Sequence, residues 1–300
     1  MPRLLVITGP TAVGKTEISV AVARYFNTSV ISCDSRQFYK EMQIGTAAPD
    51  VAVLEAVPHY FVGHLSIHDS YNVSQYEQDV LQCLPALFAR SDTVVMTGGS
   101  GLYIDAVVHG IDVLPNPDPA VRDRIHQSYI SEGLVGLQEW LQQLDPVYFQ
   151  QVDKNNPNRL KRAIEVCLST GVRYSELRLN RPKVRGFEVI KVCLTRPREV
   201  LYQRINERVE TMLALGLEEE ARQLYPFRDF NALNTVGYRE LFAYFEGRIT
   251  REQAITDIKT HSRRYAKRQL TWFRRDPEYH WIDLEQPHVG WSFLPELDKA

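Results

Sequence analysis

The chain of 300 residues is short of cysteine, of net charge and of long apolar runs, and each shortage removes a class of protein. Its four cysteines, Cys33, Cys83, Cys167 and Cys193, lack the paired spacing of a zinc site or redox motif, so free buried thiols in a reducing compartment are expected. The formal net charge of −2 leaves any nucleic-acid binding to local basic patches. No apolar run approaches the ~18 residues of a membrane span, and the apolar start Leu4 to Ile7 is too short for a signal peptide. A cytoplasmic protein with no membrane partner is therefore expected. Internal repeats and low-complexity tracts are absent, and His59, His64 and His68 do not make a metal set.

What is present begins at residue 4. Leu4 to Ile7 reads as a buried strand and opens into Gly9-Pro10-Thr11-Ala12-Val13-Gly14-Lys15-Thr16 ahead of an apolar-periodic helix. This is the pattern of a phosphate-binding P-loop. Gly9 and Gly14 permit the positive φ that turns backbone N–H groups toward an anion, and the following helix adds its positive N-terminus. Lys15 would pair with phosphate oxygens and the Thr16 hydroxyl would take a Mg²⁺ that bridges them.

Val30 and Ile31 continue a βαβ pattern, a helix is expected over Val73 to Ala89 with a kink or break at Pro85, and Thr93 to Met96 forms a third strand. Strands alternating with helices predict an α/β fold, a P-loop NTPase-like core with a mostly parallel sheet and ligands beyond its strand C-termini. Asp34 and the turn Thr97-Gly98-Gly99 should then face the P-loop. The three prolines Pro115, Pro117 and Pro119 end the alternation, and the pattern becomes helical to about Arg185. The expected organisation is a first part of the core over 1–114, a helical insertion domain over 115–185, and a second part of the core with a basic C-terminal helix over 186–300.

A P-loop does not specify what is done with the phosphates. Hydrolytic NTPases usually carry a second acid at a strand end, whereas this third strand runs into Thr97-Gly98-Gly99. Asp34 at the neighbouring strand end is placed to accept a proton from an incoming nucleophile, although a helix cap at Ser35 is an equally local use for it. Between Lys154 and Arg185 nine Lys or Arg face two acids, and Lys259 to Arg275 carries seven Lys or Arg among Tyr265, Trp272 and Phe273. Ile255, Ile258, Tyr265 and Trp272 suit a packed helix stripe, leaving Arg263, Arg264, Lys267 and Arg268 for another face. Together the two basic regions could wall an RNA groove.

Eight blocks, GPTAVGKT, DSRQFY, IGTAAP, TGGSGLY, NRLKRAIEV with STG after it, RVETMLALGLEEE, NTVGYREL and RRYAKRQLTWFRR, stand in the order and approximate spacing of bacterial tRNA dimethylallyltransferases. The resemblance spans residues 4 to 275. It implies that dimethylallyl diphosphate lies in the P-loop and that its dimethylallyl group passes to the exocyclic amine of the adenosine just 3′ of the anticodon. Asp34 resembles the family's base. Arg208, Lys15 and Thr16 with Mg²⁺ would steady the departing diphosphate. By motif, Asp34, Ser35, Arg36 and Gln37 resemble tRNA contacts, as do Asn158, Arg159, Leu160, Lys161 and Arg162. Ser100, Arg122, the stretch Thr235, Val236, Gly237, Tyr238, Arg239, and Arg263 to Gln269 with Lys267 and Arg268 complete that set. The partners implied are the tRNA anticodon stem-loop and the prenyl donor, with the protein a monomer. Two departures stand out: Ala48 where the family usually has Lys, and Ser262 where it usually has Thr.

Two other readings use parts of the same residues. A small-molecule kinase with ATP in the P-loop and Asp34 as base leaves both basic regions unused, and an RNA-binding nucleotide switch gives Asp34 no task. If the basic regions bind phosphates, RNA affinity falls steeply with added salt as counterions are released. Titrating an anticodon stem-loop at rising ionic strength checks this, and a flat response would mean that both helices are merely solvated.

Overall fold

Leu4, Leu5, Val6 and Ile7 are wholly enclosed, and that enclosure sets the architecture. They form the middle of β1 (Arg3–Thr8), which lies between two parallel neighbours, β4 (Thr93–Gly98) and β5 (Glu188–Thr195). Successive side chains point to opposite faces. Leu4 and Val6 therefore join one core with Phe38, Tyr76, Met96 and Phe273, while Leu5 and Ile7 join another with Val95, Val192 and Ile205. Each such burial contributes about 1.5–3 kcal/mol.

The protein is seen here as a computed structural model that describes residues 1–115, 118–179 and 181–286. Asn116 and Pro117 of the proline-rich boundary, Asn180 within the expected insertion, and the end of the expected C-terminal segment from 287 lie outside the described residues. With β2 (Val30–Ser32), β3 (His59–Tyr60) and β6 (Tyr279–Asp283), the sheet has six strands in the order β3-β2-β4-β1-β5-β6, every neighbouring pair parallel. The expected α/β class with a parallel sheet is borne out. Parallel order sends every strand's C-terminal end to one edge. Gly9, Asp34, Gly99 and Arg196 follow β1, β2, β4 and β5 there.

Several elements differ from the sequence reading. The Val73–Phe88 helix runs through Pro85 without ending, because proline falls in its last turn and the lost N–H bond is a single one. β3 and β6 have no counterpart in that reading. β3 has two residues and β6 five, too short for either to show a clear alternation. On the Arg251–Phe273 helix the enclosed positions are Ala254, Ile258, Ala266, Gln269 and Phe273, so the packed stripe is rotated from the one expected through Tyr265 and Trp272.

By internal contacts the chain separates into two units, one of Met1–Val108 with the described residues from Val184 onward and one of His109–Lys183. Among its described residues the second has helices and no strand, and three of its helices begin with proline at their first position: Pro119–Leu144, Pro146–Gln151 and Pro157–Thr170. Proline suits that position because its missing N–H has no intrahelical partner to lose. Asp118, Asp145 and Asn156 cap them through side-chain oxygens. Ile125, Leu137, Leu141, Leu160 and Ile164 form the unit's own core.

Candidate active site

The P-loop takes the shape its glycines allow. Gly9 has φ +148°, and a β-carbon there would stand 2.6 Å from the Leu194 carbonyl oxygen. Gly14, at φ +112°, precedes the Lys15–Tyr25 helix in the left-handed region. Ala12 also has a positive φ, 65°, which costs a non-glycine residue about 1 kcal/mol or more. The strained turn is held from outside. Arg204 Nε donates to the Ala12 carbonyl and Arg196 Nε to that of Val13, both at 2.9 Å. With those carbonyls bound outward, the loop's N–H groups are left for an anion, apart from that of Thr11, which donates to Gln269, and that of Val13, which donates to the Pro10 carbonyl. Lys15 Nζ folds over the loop, donating to the Gly9 and Pro10 carbonyls at 3.1 and 3.0 Å.

Across the sheet edge, Asp34 follows β2. Its Oδ1 accepts the Arg36 N–H at 3.1 Å, a local turn that fixes the carboxylate. Ser35 N–H donates to Ser100 Oγ at 3.2 Å, tying this turn to the one after β4. Arg36 reaches the carbonyls of Asn231 and Ala232 at 2.8 and 3.0 Å, and Gln37 reaches those of Thr46 and Ala47. Gly98, at φ +155°, lets the β4 turn pass Cys33, whose Sγ would lie 2.6 Å from an added β-carbon.

Thr11, Asp34, Arg36, Arg208, Thr235 and Tyr265 line one cavity between these turns. The Arg198–Ala214 helix buries Leu201, Ile205, Val209 and Met212, which leaves Arg204 and Arg208, one turn apart, for the P-loop side. Desolvation lowers the Lys15 pKa to about 8, opposed by the charge of Asp34 and assisted by that of Arg208. Desolvation also lowers Arg208, again opposed by Asp34. Burial, then the Asp34 charge, pushes the Tyr265 hydroxyl up to about 12. The carboxylate and two cations thus feel one another in a poorly hydrated space. Such a space can take an anion beside a group that accepts a proton.

The sequence-derived candidates distribute as follows. Gly9 to Thr16, Asp34 to Gln37, Ser100, Arg208 and Thr235 to Gly237 gather around the P-loop edge and cavity. Arg239, Lys267 and Arg268 are exposed, and Arg263 is half-buried, its guanidinium donating to Asn206 Oδ1 at 2.7 Å. In the helical unit, Arg122, Asn158, Lys161 and Arg162 surround an opening of about 350 Å³ with Glu165, and Arg159 is exposed. Two assignments need correction. Leu160 and Tyr238 are 0% exposed, so neither side chain can touch RNA in this conformation. Leu160 packs in the helical core, and Tyr238 donates its hydroxyl to Glu220 at 2.7 Å. Gln269, within the expected RNA-contacting stretch, is likewise buried.

Other residues of the site carry no signal in the sequence reading. Arg196, after a strand, and Arg204, on a helix, look like ordinary surface cations until their carbonyl partners are seen. Glu220 is one acid of an acidic run, yet its carboxylate accepts the N–H groups of Gln43, Ile44 and Gly45 at 2.9, 2.8 and 2.8 Å. It thereby fixes the turn bearing Ala48, which closes back through its N–H to Gln43.

A model of the IPP transferase family matches residues 37–276. The chain belongs to the IPP transferase family. A tRNA dimethylallyltransferase of Christiangramia forsetii is 49% identical over 283 residues, covering 94% of this chain and 94% of that protein. Another, from Parabacteroides distasonis, is 48% identical over 296 residues, 99% of each. The crystal structure of a full-length tRNA isopentenylpyrophosphate transferase from Bacillus halodurans is 35% identical, with a TM-score of 0.69 over 94% of this chain and 90% of that one. The resemblance carried by the eight sequence blocks is thus borne out at the level of the IPP transferase family.

The depressed Lys15 gives this family member a testable pH dependence. Its ammonium is present below about 8 and lost as pH rises through that value, so affinity for an alkyl diphosphate should fall on the alkaline side. Calorimetric titration across that range checks it, with Lys15→Arg flattening the profile. Equal affinity on both sides in the unaltered protein would contradict the assignment.

Proposed function

We propose that this IPP transferase family member transfers the dimethylallyl group of dimethylallyl diphosphate to the exocyclic amine of the adenosine 3′-adjacent to the anticodon in tRNA. The observation that carries this reading is the single cavity lined by Thr11 of the P-loop, Asp34 and Arg208. A phosphate site alone would suit a kinase equally. The two basic regions and the full-length similarity to tRNA dimethylallyltransferases favour RNA as the acceptor.

In the proposed reaction the amine nitrogen attacks the first carbon of the dimethylallyl group, and the carbon–oxygen bond to diphosphate breaks. The bonding pair leaves with diphosphate, and the amine's proton passes to Asp34. An adenine amine is a weak nucleophile because its lone pair is delocalised, so a positioned carboxylate lowers the barrier. Oδ1 is held by Arg36 N–H, which reserves Oδ2 for that proton. Lys15, Arg208 and the loop N–H groups meet the charge that develops on diphosphate, and they act strongly because water is scarce there.

The donor set suits Mg²⁺. Thr16 is exposed at the helix start, and among the described residues no group of three or more His, Cys, Asp or Glu could cage a metal. Magnesium characteristically binds through one or two protein groups and the substrate's phosphates. Bound there, it would neutralise charge on the leaving group. The target base must leave the anticodon-loop stack to reach Asp34, with RNA entering opposite the donor. The helical segment 115–185, with exposed Arg122, Asn158 and Arg159, is the proposed tRNA-binding domain. The protein would act as a monomer in the cytoplasm.

Replacing Asp34 by Ala should lower turnover about 100- to 10,000-fold, the usual worth of a positioned base, while stem-loop affinity changes little. Single-turnover transfer and RNA binding measured on one preparation test this. Unchanged turnover would remove Asp34 as the base.

A further inference from the structure

Gln269 stands in the most basic block of the chain, beside Lys267 and Arg268, yet it points the other way. Its neighbours are exposed, while Gln269 is 5% exposed. Its Oε1 accepts the Thr11 N–H of the P-loop at 2.9 Å, and its Nε2 donates to the Gly99 carbonyl at 2.9 Å. Acceptor and donor are both used, which fixes the orientation of the amide. Gly99 is fitted to it: a β-carbon at 99 would lie 2.1 Å from Nε2.

We propose that Gln269 is a positioning residue of the diphosphate site, locking the Thr11 peptide of the P-loop to the turn after β4. The inference rests on the P-loop as the donor's phosphate site. Arg196 and Arg204 hold the loop's Val13 and Ala12 carbonyls, and Gln269 holds its entry at the Thr11 N–H, so three side chains fix three peptides of the loop. Of these, Gln269 alone comes from the Arg251–Phe273 helix. Thr11 in turn lines the cavity with Asp34 and Arg208, so the lock aligns the phosphate site with the proton acceptor. Without it, a buried N–H and a buried carbonyl lose their partners, and the loop must shift to find others.

The test is Gln269→Met, which keeps similar bulk and removes both hydrogen bonds. Dissociation constants are read for inorganic diphosphate, dimethylallyl diphosphate and an anticodon stem-loop, alongside KM and kcat for transfer. Diphosphate affinity should weaken about 10- to 100-fold and the donor's KM rise with it, while RNA affinity stays within about twofold. Gly99→Ala should reproduce the effect, and the double variant should fall short of the sum. In the unaltered protein, the Thr11 amide should be protected from hydrogen exchange. Weakened RNA binding with normal diphosphate affinity would make Gln269 an RNA contact and overturn the proposal. So would a lower melting temperature with unchanged constants, or an unprotected Thr11 amide. Diphosphate binding is read without turnover, so absence of prenyl transfer would count against the transferase reading and leave this test standing.

Discussion

A loop that turns its N–H groups toward an anion must turn carbonyls away from it, and buried carbonyls need donors. The rest of this site depends on meeting that demand. Arg204 and Arg196 bind the outward carbonyls of Ala12 and Val13, and the first also restrains a residue in a conformation that alanine seldom adopts. Both arginines follow β5, the strand beside β1. The sheet order is therefore part of the proposed phosphate site: without β5 next to β1, neither guanidinium would reach the loop.

The same edge brings the proposed proton acceptor into range. Asp34 leaves β2 as the P-loop leaves β1, with β4 between them and its glycine turn kept low. Asp34 opposes the lowering of both Lys15 and Arg208 by burial, so the carboxylate helps each cation to persist, while Arg208 works against Lys15. In the proposed reaction, incoming diphosphate would reinforce the cations and the incoming amine would use the carboxylate. On that proposal the site is balanced for two substrates of opposite demand.

How much of this was legible in the residues follows from how local each signal is. The P-loop, the central strands and the helical character after the proline run depend on short-range pattern, and all appear in the structure. Asp34 is legible from its place at a strand end beside the P-loop and Arg208 only through motif resemblance, and the two share a cavity. What could not be read is who partners whom across long separations. Gln269 bonds to Thr11, 258 positions away, and Glu220 gathers three N–H groups from a turn more than 170 positions back. Composition near Gln269 is basic and exposed, which points away from its actual partners. Tyr238 and Leu160 illustrate the opposite error, since a motif marks a stretch of chain while burial decides which side chains in it meet a ligand.

The central claim is that phosphate chemistry and amine chemistry meet in one cavity. The most direct measurement is transfer of label from dimethylallyl diphosphate to an anticodon stem-loop bearing adenosine 3′ of the anticodon, with γ-labelled ATP offered in parallel. The account predicts label in the RNA from the prenyl donor, dependent on Mg²⁺, and none from ATP. Phosphoryl transfer from ATP with no prenylated RNA would contradict it.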